Sequence, residues 1–138
     1  MNKTPMTGAE RISEGINVLI QEAYSNSVAH GFWEEYHRIY TLLITAAPDG
    51  SYSKKLELDT KLSKIALMHS ELGEATEGVR KPGPDAHCPE FTNEEIELAD
   101  AVIRIADYCG AFGLRLAQAI EAKMEYNKSR PYKHGKGA

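Results

Sequence analysis

The chain is poor in the features that assign a function class at once. It has two cysteines in 138 residues, Cys88 and Cys109, and no CxxC motif. That number supports neither a disulfide framework nor a structural zinc site and fits free thiols in a reducing compartment. No apolar run approaches the roughly 20 residues that a membrane-spanning helix requires. Met1–Glu10 lacks the apolar segment of a signal peptide. Basic excess is missing as well: the net charge is -4, with a pI near 5.7. Nothing global attracts a nucleic-acid polymer. Strand-like alternation, internal repeats, low-complexity tracts and interdomain linkers are absent. The length fits one domain, 1–138, with residues 1–8 and 131–138 as tails that are flexible or ordered by a ligand or subunit. A cytoplasmic protein without membrane contact is expected.

What is present is helical periodicity. Thr7-Gly-Ala-Glu10 has the form of a capping box. Ile12, Ile16, Leu19, Ile20 and Ala23 follow at helical spacing, so a first helix is predicted to about Ala29, with Gly31 as its stop. Trp33, Tyr36, Tyr40 and Leu43 predict a shorter second helix ending near Ala46, and Pro48-Asp-Gly-Ser51 is turn chemistry. A long third helix is predicted from about Lys54 to Arg80, striped by Leu58, Leu62, Ile65, Leu72 and Val79. Lys81-Pro-Gly-Pro-Asp85 breaks it. Thr92-Asn-Glu-Glu95, a second capping box, starts a fourth helix that Gly110 and Gly113 end. A fifth runs from about Leu116 to Asn127. The predicted fold is all-α, a bundle of four to five helices.

Two acidic pairs sit in the apolar runs of the third and fourth helices: Glu71-Leu-Gly-Glu74 and Glu97-Leu-Ala-Asp100. Residues three apart share a helix face. Two such helices facing each other therefore gather four carboxylates, which repel unless a hard divalent cation such as Mg²⁺ neutralises them. A solvated surface is the common explanation for one such pair. Two pairs, each bordering an apolar stripe, favour a metal site.

Other residues keep two readings. His30 and Trp33 either belong to core packing around an aromatic stripe or line a pocket and stack on a flat ligand such as a nucleobase. His37 is expected at the surface. Arg104 either pairs with Asp100 or Asp107 on its own helix or faces a phosphate. The basic end with Lys123, Lys128, Arg130, Lys133 and Lys136 is either a solubilising tail or a cationic patch suited to a polyphosphate. His87-Cys88 offers two adjacent ligand types without partners and is read as incidental.

The ordered set of these motifs resembles the MazG-like family of all-α nucleoside triphosphate pyrophosphohydrolases, whose signature is an ExxE helix followed, after a loop, by an ExxD helix. Glu71-Leu-Gly-Glu74 and Glu97-Leu-Ala-Asp100 match it. Ile65-Ala-Leu-Met-His-Ser70, Lys123-Met-Glu-Tyr-Asn127, Arg130-Pro-Tyr-Lys-His-Gly135 and His30-Gly-Phe-Trp33 resemble further parts of such chains. The resemblance implies hydrolysis of a (deoxy)nucleoside triphosphate to the monophosphate and pyrophosphate, for house-cleaning or nucleotide-pool control. It implies Mg²⁺, with Mn²⁺ as a substitute, held by Glu71, Glu74, Glu97 and Asp100. Glu71 and Glu74 are the implied catalytic carboxylates, with Glu74 orienting or deprotonating the attacking water. Lys123, Asn127, Arg130 and Arg104 become candidates for the phosphates, and His30 and Trp33 for base and sugar. A bundle completed by assembly into a homodimer or homotetramer is implied too, and the strongly apolar helix from Glu95 to Cys109 agrees with it.

Two rivals stand beside this reading. A di-iron carboxylate bundle uses Glu-x-x-His pairs, whereas both pairs here end in an acid and His69 falls at the wrong offset. A non-catalytic helical oligomerisation or adaptor module would leave the acidic face solvated or hold a basic partner on it.

Overall fold

A computed structural model describes residues 4–135. The outer parts of the two expected tails, 1–3 and 136–138 with Lys136, lie outside the described residues. Among the described residues are five α-helices: α1 (Gly8–Ala29), α2 (Glu34–Ala46), α3 (Ser51–Arg80), α4 (Asn93–Ala111) and α5 (Leu116–Lys128). A short 3-10 turn, Tyr132–Gly135, follows. They contain no strand, only an isolated bridge between Pro84 and Thr92 in the α3–α4 loop. No helix is long and apolar enough to cross a membrane among them.

Local chemistry explains the boundaries. Thr7 and Thr92 each accept the third helical N–H, from Glu10 and Glu95, and donate their own backbone N–H to that glutamate's carboxylate. Gly31, at φ 80°, closes α1, and Phe32 N–H reaches back to Ser27 O at 3.1 Å. α3 begins three residues before the predicted Lys54. Gly50 takes a φ of 79° after the Pro48-Asp49 turn, and the Asp49 carboxylate accepts the Ser51 N–H at 2.9 Å. α4 runs through Gly110 and stops at Ala111, because Gly113 is the residue with positive φ.

The helices form a chain of neighbours in which α2 packs on α3, α3 on α4, α4 on α1, and α1 on α5. Small residues govern these seams. Ala75, Ala101, Ala106 and Ala117 are buried between helices. At Gly78 the backbone of α3 passes so near α4 that a Cβ would lie 2.8 Å from Glu94 N. At Gly110 the Tyr24 side chain fills the space of the missing Cβ. Trp33 is the large side chain at the centre, fully buried and edge-on to Tyr24, Tyr36 and Phe112. The predicted stripe on α3 behaves otherwise. Leu58, Leu62, Ile65, Leu72 and Val79 all lie on the exposed surface of the chain.

Candidate metal centre

The close α3–α4 seam positions the acids. Glu71, Ala75 and Gly78 are the buried line of the second half of α3. Because Ala75 and Gly78 leave little between the helices, α4 approaches until the carboxylates of Glu71, Glu97 and Asp100 place one oxygen each within 4.8 Å of one another. Glu71 is buried, and Glu97 and Asp100 are half-buried. Glu74 stands apart from this trio. It is about 60° around the helix from Glu71, lies exposed, and accepts a hydrogen bond from Ser70 Oγ at 3.4 Å. It shares a shallow depression with Glu97, at the rim of the cluster. Three of the four predicted metal ligands thus converge, and the fourth borders them.

Electrostatics register the crowding. Burial pushes the Glu97 carboxyl above its ordinary value. The charge of Glu74, a hydrogen bond to Glu71 and the charges of Glu71 and Asp100 push it the same way. Arg104 meets the cluster at Glu71, where its Nε donates to Oε1 at 2.5 Å across the two helices. Neither of the same-helix partners expected for Arg104 is used. Asp100 belongs to the carboxylate cluster, and Asp107 is engaged elsewhere. Asp107 Oδ1 accepts the Trp33 indole N–H at 2.8 Å, and Oδ2 accepts the Ser27 hydroxyl at 3.0 Å.

The donor set suits a hard cation. All three groups offer oxygen, the ligand type of Mg²⁺ and Mn²⁺, and among the described residues no imidazole or thiolate joins them. Mg²⁺ holds its ligands at about 2.0–2.1 Å, which puts neighbouring oxygens about 3 Å apart. A spread of 4.8 Å is within side-chain rotation of that arrangement.

Beside the cluster, a cleft of about 270 Å³ runs between α1, α3 and α4. Asn26, Phe32, Lys64, Asp100, Arg104 and Asp107 line it. Lys64 and Phe32 were missed by sequence reading. Lys64 has a legible signal, standing seven residues before Glu71 on the same line of α3.

The remaining predicted residues are placed differently. Trp33 presents no face to a ligand: at 0% exposure it follows the core-packing alternative, and the stacking alternative does not hold for it. The exposed aromatic of that loop is Phe32, at 70%. His30 is exposed after α1, with Nδ1 2.8 Å from Asn26 O. Exposed His37 stacks on Trp33. Lys123, Asn127 and Arg130 are exposed on and just beyond α5. Lys123 and Arg130 lie against the Tyr126 ring. The end of α5 flanks the start of α1, where Lys128 and Met124 line a groove with Gly8 and Ile12. Ile12 and Ser27 are separated by roughly 22 Å along α1, so one chain does not bring the end of α5 to its own carboxylates. Pro84-Asp85-Ala86-His87-Cys88 folds on itself, with Asp85 accepting the N–H groups of His87 and Cys88. Comparison with known proteins found no match, whether among family models, curated proteins or solved structures.

Proposed function

We propose that this chain is a metal-dependent hydrolase that splits (deoxy)nucleoside triphosphates into the monophosphate and pyrophosphate. The observation that carries the reading is the meeting of Glu71, Glu97 and Asp100 within 4.8 Å, on two helices, with Glu71 buried. Buried acids without a counter-charge are costly. One arginine for three carboxylates leaves the cluster negative and favourable to a divalent cation.

Glu71, Glu97 and Asp100 would hold Mg²⁺ or Mn²⁺, with Glu74 joining them from the rim. When bound, such an ion neutralises phosphate charge and lowers the pKa of a coordinated water. Glu74 is the carboxylate placed to orient or deprotonate a water, being exposed and adjacent to Glu97. Arg104 links Glu71 to the cleft and meets phosphate oxygens from there. The base and sugar lie toward the loop of His30 to Trp33, with Phe32 as its outward face and Trp33 as its internal support. Lys123, Asn127 and Arg130 reach a site only from a second copy of the chain, in keeping with a homodimer or homotetramer. The cleft of one chain is also smaller than the roughly 300–1,000 Å³ usual for a whole ligand.

The test is Mg²⁺-dependent pyrophosphate release from a panel of deoxynucleoside and nucleoside triphosphates, for wild type and Glu74→Gln. Release that the variant loses by at least 100-fold supports the hydrolase. A second reading, the helical oligomerisation or adaptor module, has its own observation in the exposed apolar faces of α3 and α4. No release from any nucleotide by the folded protein would select it.

A further inference from the structure

Lys64 is a cation to which its own helix supplies no partner. Lys55 and Lys61 on α3 pair with Asp59 and Glu57, four residues away. The corresponding neighbours of Lys64, at three and four residues on either side, are Thr60, Lys61, Leu67 and Met68. None is acidic. Among the described residues Lys64 makes no ion pair and no side-chain hydrogen bond. Its ammonium sits over the indole of Trp33, with Nζ 4.4 Å from the ring centroid. An ammonium carries three donors, and here they are held at the wall of a cleft instead of in bulk water.

The other charges of that cleft are already engaged. Arg104 binds Glu71, and both oxygens of Asp107 accept hydrogen bonds from Trp33 and Ser27. Asp100 belongs at once to the cleft and to the carboxylate cluster. Lys64 and Glu71 lie within about 20° of each other on α3 and about 10 Å apart along its axis. A ligand that begins at the carboxylates and extends along the cleft therefore meets the lysine next.

We propose that Lys64 is an anion-binding residue, and that it holds the phosphates of a polyphosphate whose other end lies at Glu71, Glu97 and Asp100. This rests on the reading of those carboxylates as a metal centre. The ligand class follows from the arrangement: an anion long enough to span the two positions, metal-dependent at one end and lysine-bound at the other. The indole beneath the ammonium acts as a fixed rest that keeps it in the cleft.

The competing role for Lys64 is structural, as a cover for Trp33 and a charge balance for Asp107. Lys64→Met separates the two, because methionine keeps an unbranched apolar side chain beside the indole and removes the ammonium. Lys64→Arg keeps the charge. Calorimetric titration with inorganic tripolyphosphate in saturating Mg²⁺ is the direct measurement, with thermal melts of each protein alongside. Wild type and Lys64→Arg bind within a few-fold of each other, and Lys64→Met binds roughly 10- to 100-fold more weakly while still folded at the titration temperature. Equal binding by wild type and Lys64→Met overturns the proposal, as does absence of tripolyphosphate binding by wild type. Nucleotide turnover keeps the two readings apart. Lys64-dependent tripolyphosphate binding without hydrolysis of any nucleotide sinks the hydrolase and retains this inference. Hydrolysis with the same KM in wild type and Lys64→Met does the reverse.

Discussion

Glu97 shows most directly what the carboxylate cluster does to the folded chain. Its proton is held more tightly in the fold than at its ordinary 4.5, through burial first and the charge of Glu74 next. A raised carboxyl contributes stability that is complete below the unfolded value and is lost as pH rises through the folded one. The metal-free protein therefore loses this contribution above pH ~4.5. Glu10, Asp49, Asp85 and Glu95 act in the opposite direction: backbone N–H donors hold them below their ordinary values, and their contributions disappear as pH falls. Glu97→Gln isolates the first effect. Its melting temperature should exceed that of the wild type by a few degrees at neutral pH without metal, with the gap closing in acid. Mn²⁺ binding, followed by electron paramagnetic resonance, should weaken by more than 10-fold in the same variant. A variant no more stable than wild type at neutral pH would mean the cluster is not under charge stress.

Trp33 gives the second prediction at this scale. Trp33→Phe preserves much of the ring and deletes the N–H that Asp107 accepts at 2.8 Å. Leaving a half-buried carboxylate short of a donor costs about 1–3 kcal/mol. Urea denaturation should show that loss in the midpoint, with little change in slope.

Among the elements, glycine decides which helices touch. α3 and α4 cross at Gly78, and α4 and α1 meet at Gly110. Gly110→Ala would drive a Cβ to 2.5 Å from Tyr24 Cβ, and overpacking of that kind costs about 1–3 kcal/mol. Gly78→Ala meets the backbone of Glu94, which has less room to move than a side chain, so it should also weaken Mn²⁺ binding by spreading Glu71 from Glu97. Gly73→Ala is the control on the same helix. Nothing lies within 4 Å of its missing Cβ, and alanine in a helix interior gains about 0.5–1 kcal/mol. Chemical denaturation of the three variants should order them as Gly73→Ala above wild type and the other two below it. If Gly110→Ala were as stable as wild type, the α1–α4 seam would be looser than described.

At the scale of the molecule, the chain exposes 10383 Å², against about 7,100 Å² for a compact monomer of its mass. Part of the difference is apolar: Leu58 and Leu62 on α3 and Leu98, Val102 and Ile105 on α4 all face outward. Such surface favours a second copy. Light scattering should give at least twice the 15.3 kDa chain mass, and Val102→Glu should lower the assembled fraction while leaving helical circular dichroism intact. A monodisperse monomer at micromolar concentration would count against assembly.

Much of this was open to reading along the chain. The capping boxes at Thr7 and Thr92, the breaks at Gly31 and Lys81–Asp85, and the all-helical character follow from short-range rules that each segment obeys alone. The acidic pairs were likewise visible, because spacing on a helix is a local property. The tertiary structure alone decided their use. Glu71 turned into the α3–α4 seam and Glu74 did not, since 60° around a helix separates buried from wet. Arg104 found Glu71, on another helix, in preference to its own neighbours. Trp33 went to the centre, and Lys64 set its ammonium on that indole at a cleft wall. Sequence fixes what lies three or four residues away, whereas partners 30 or 80 residues off depend on which helices cross and how closely.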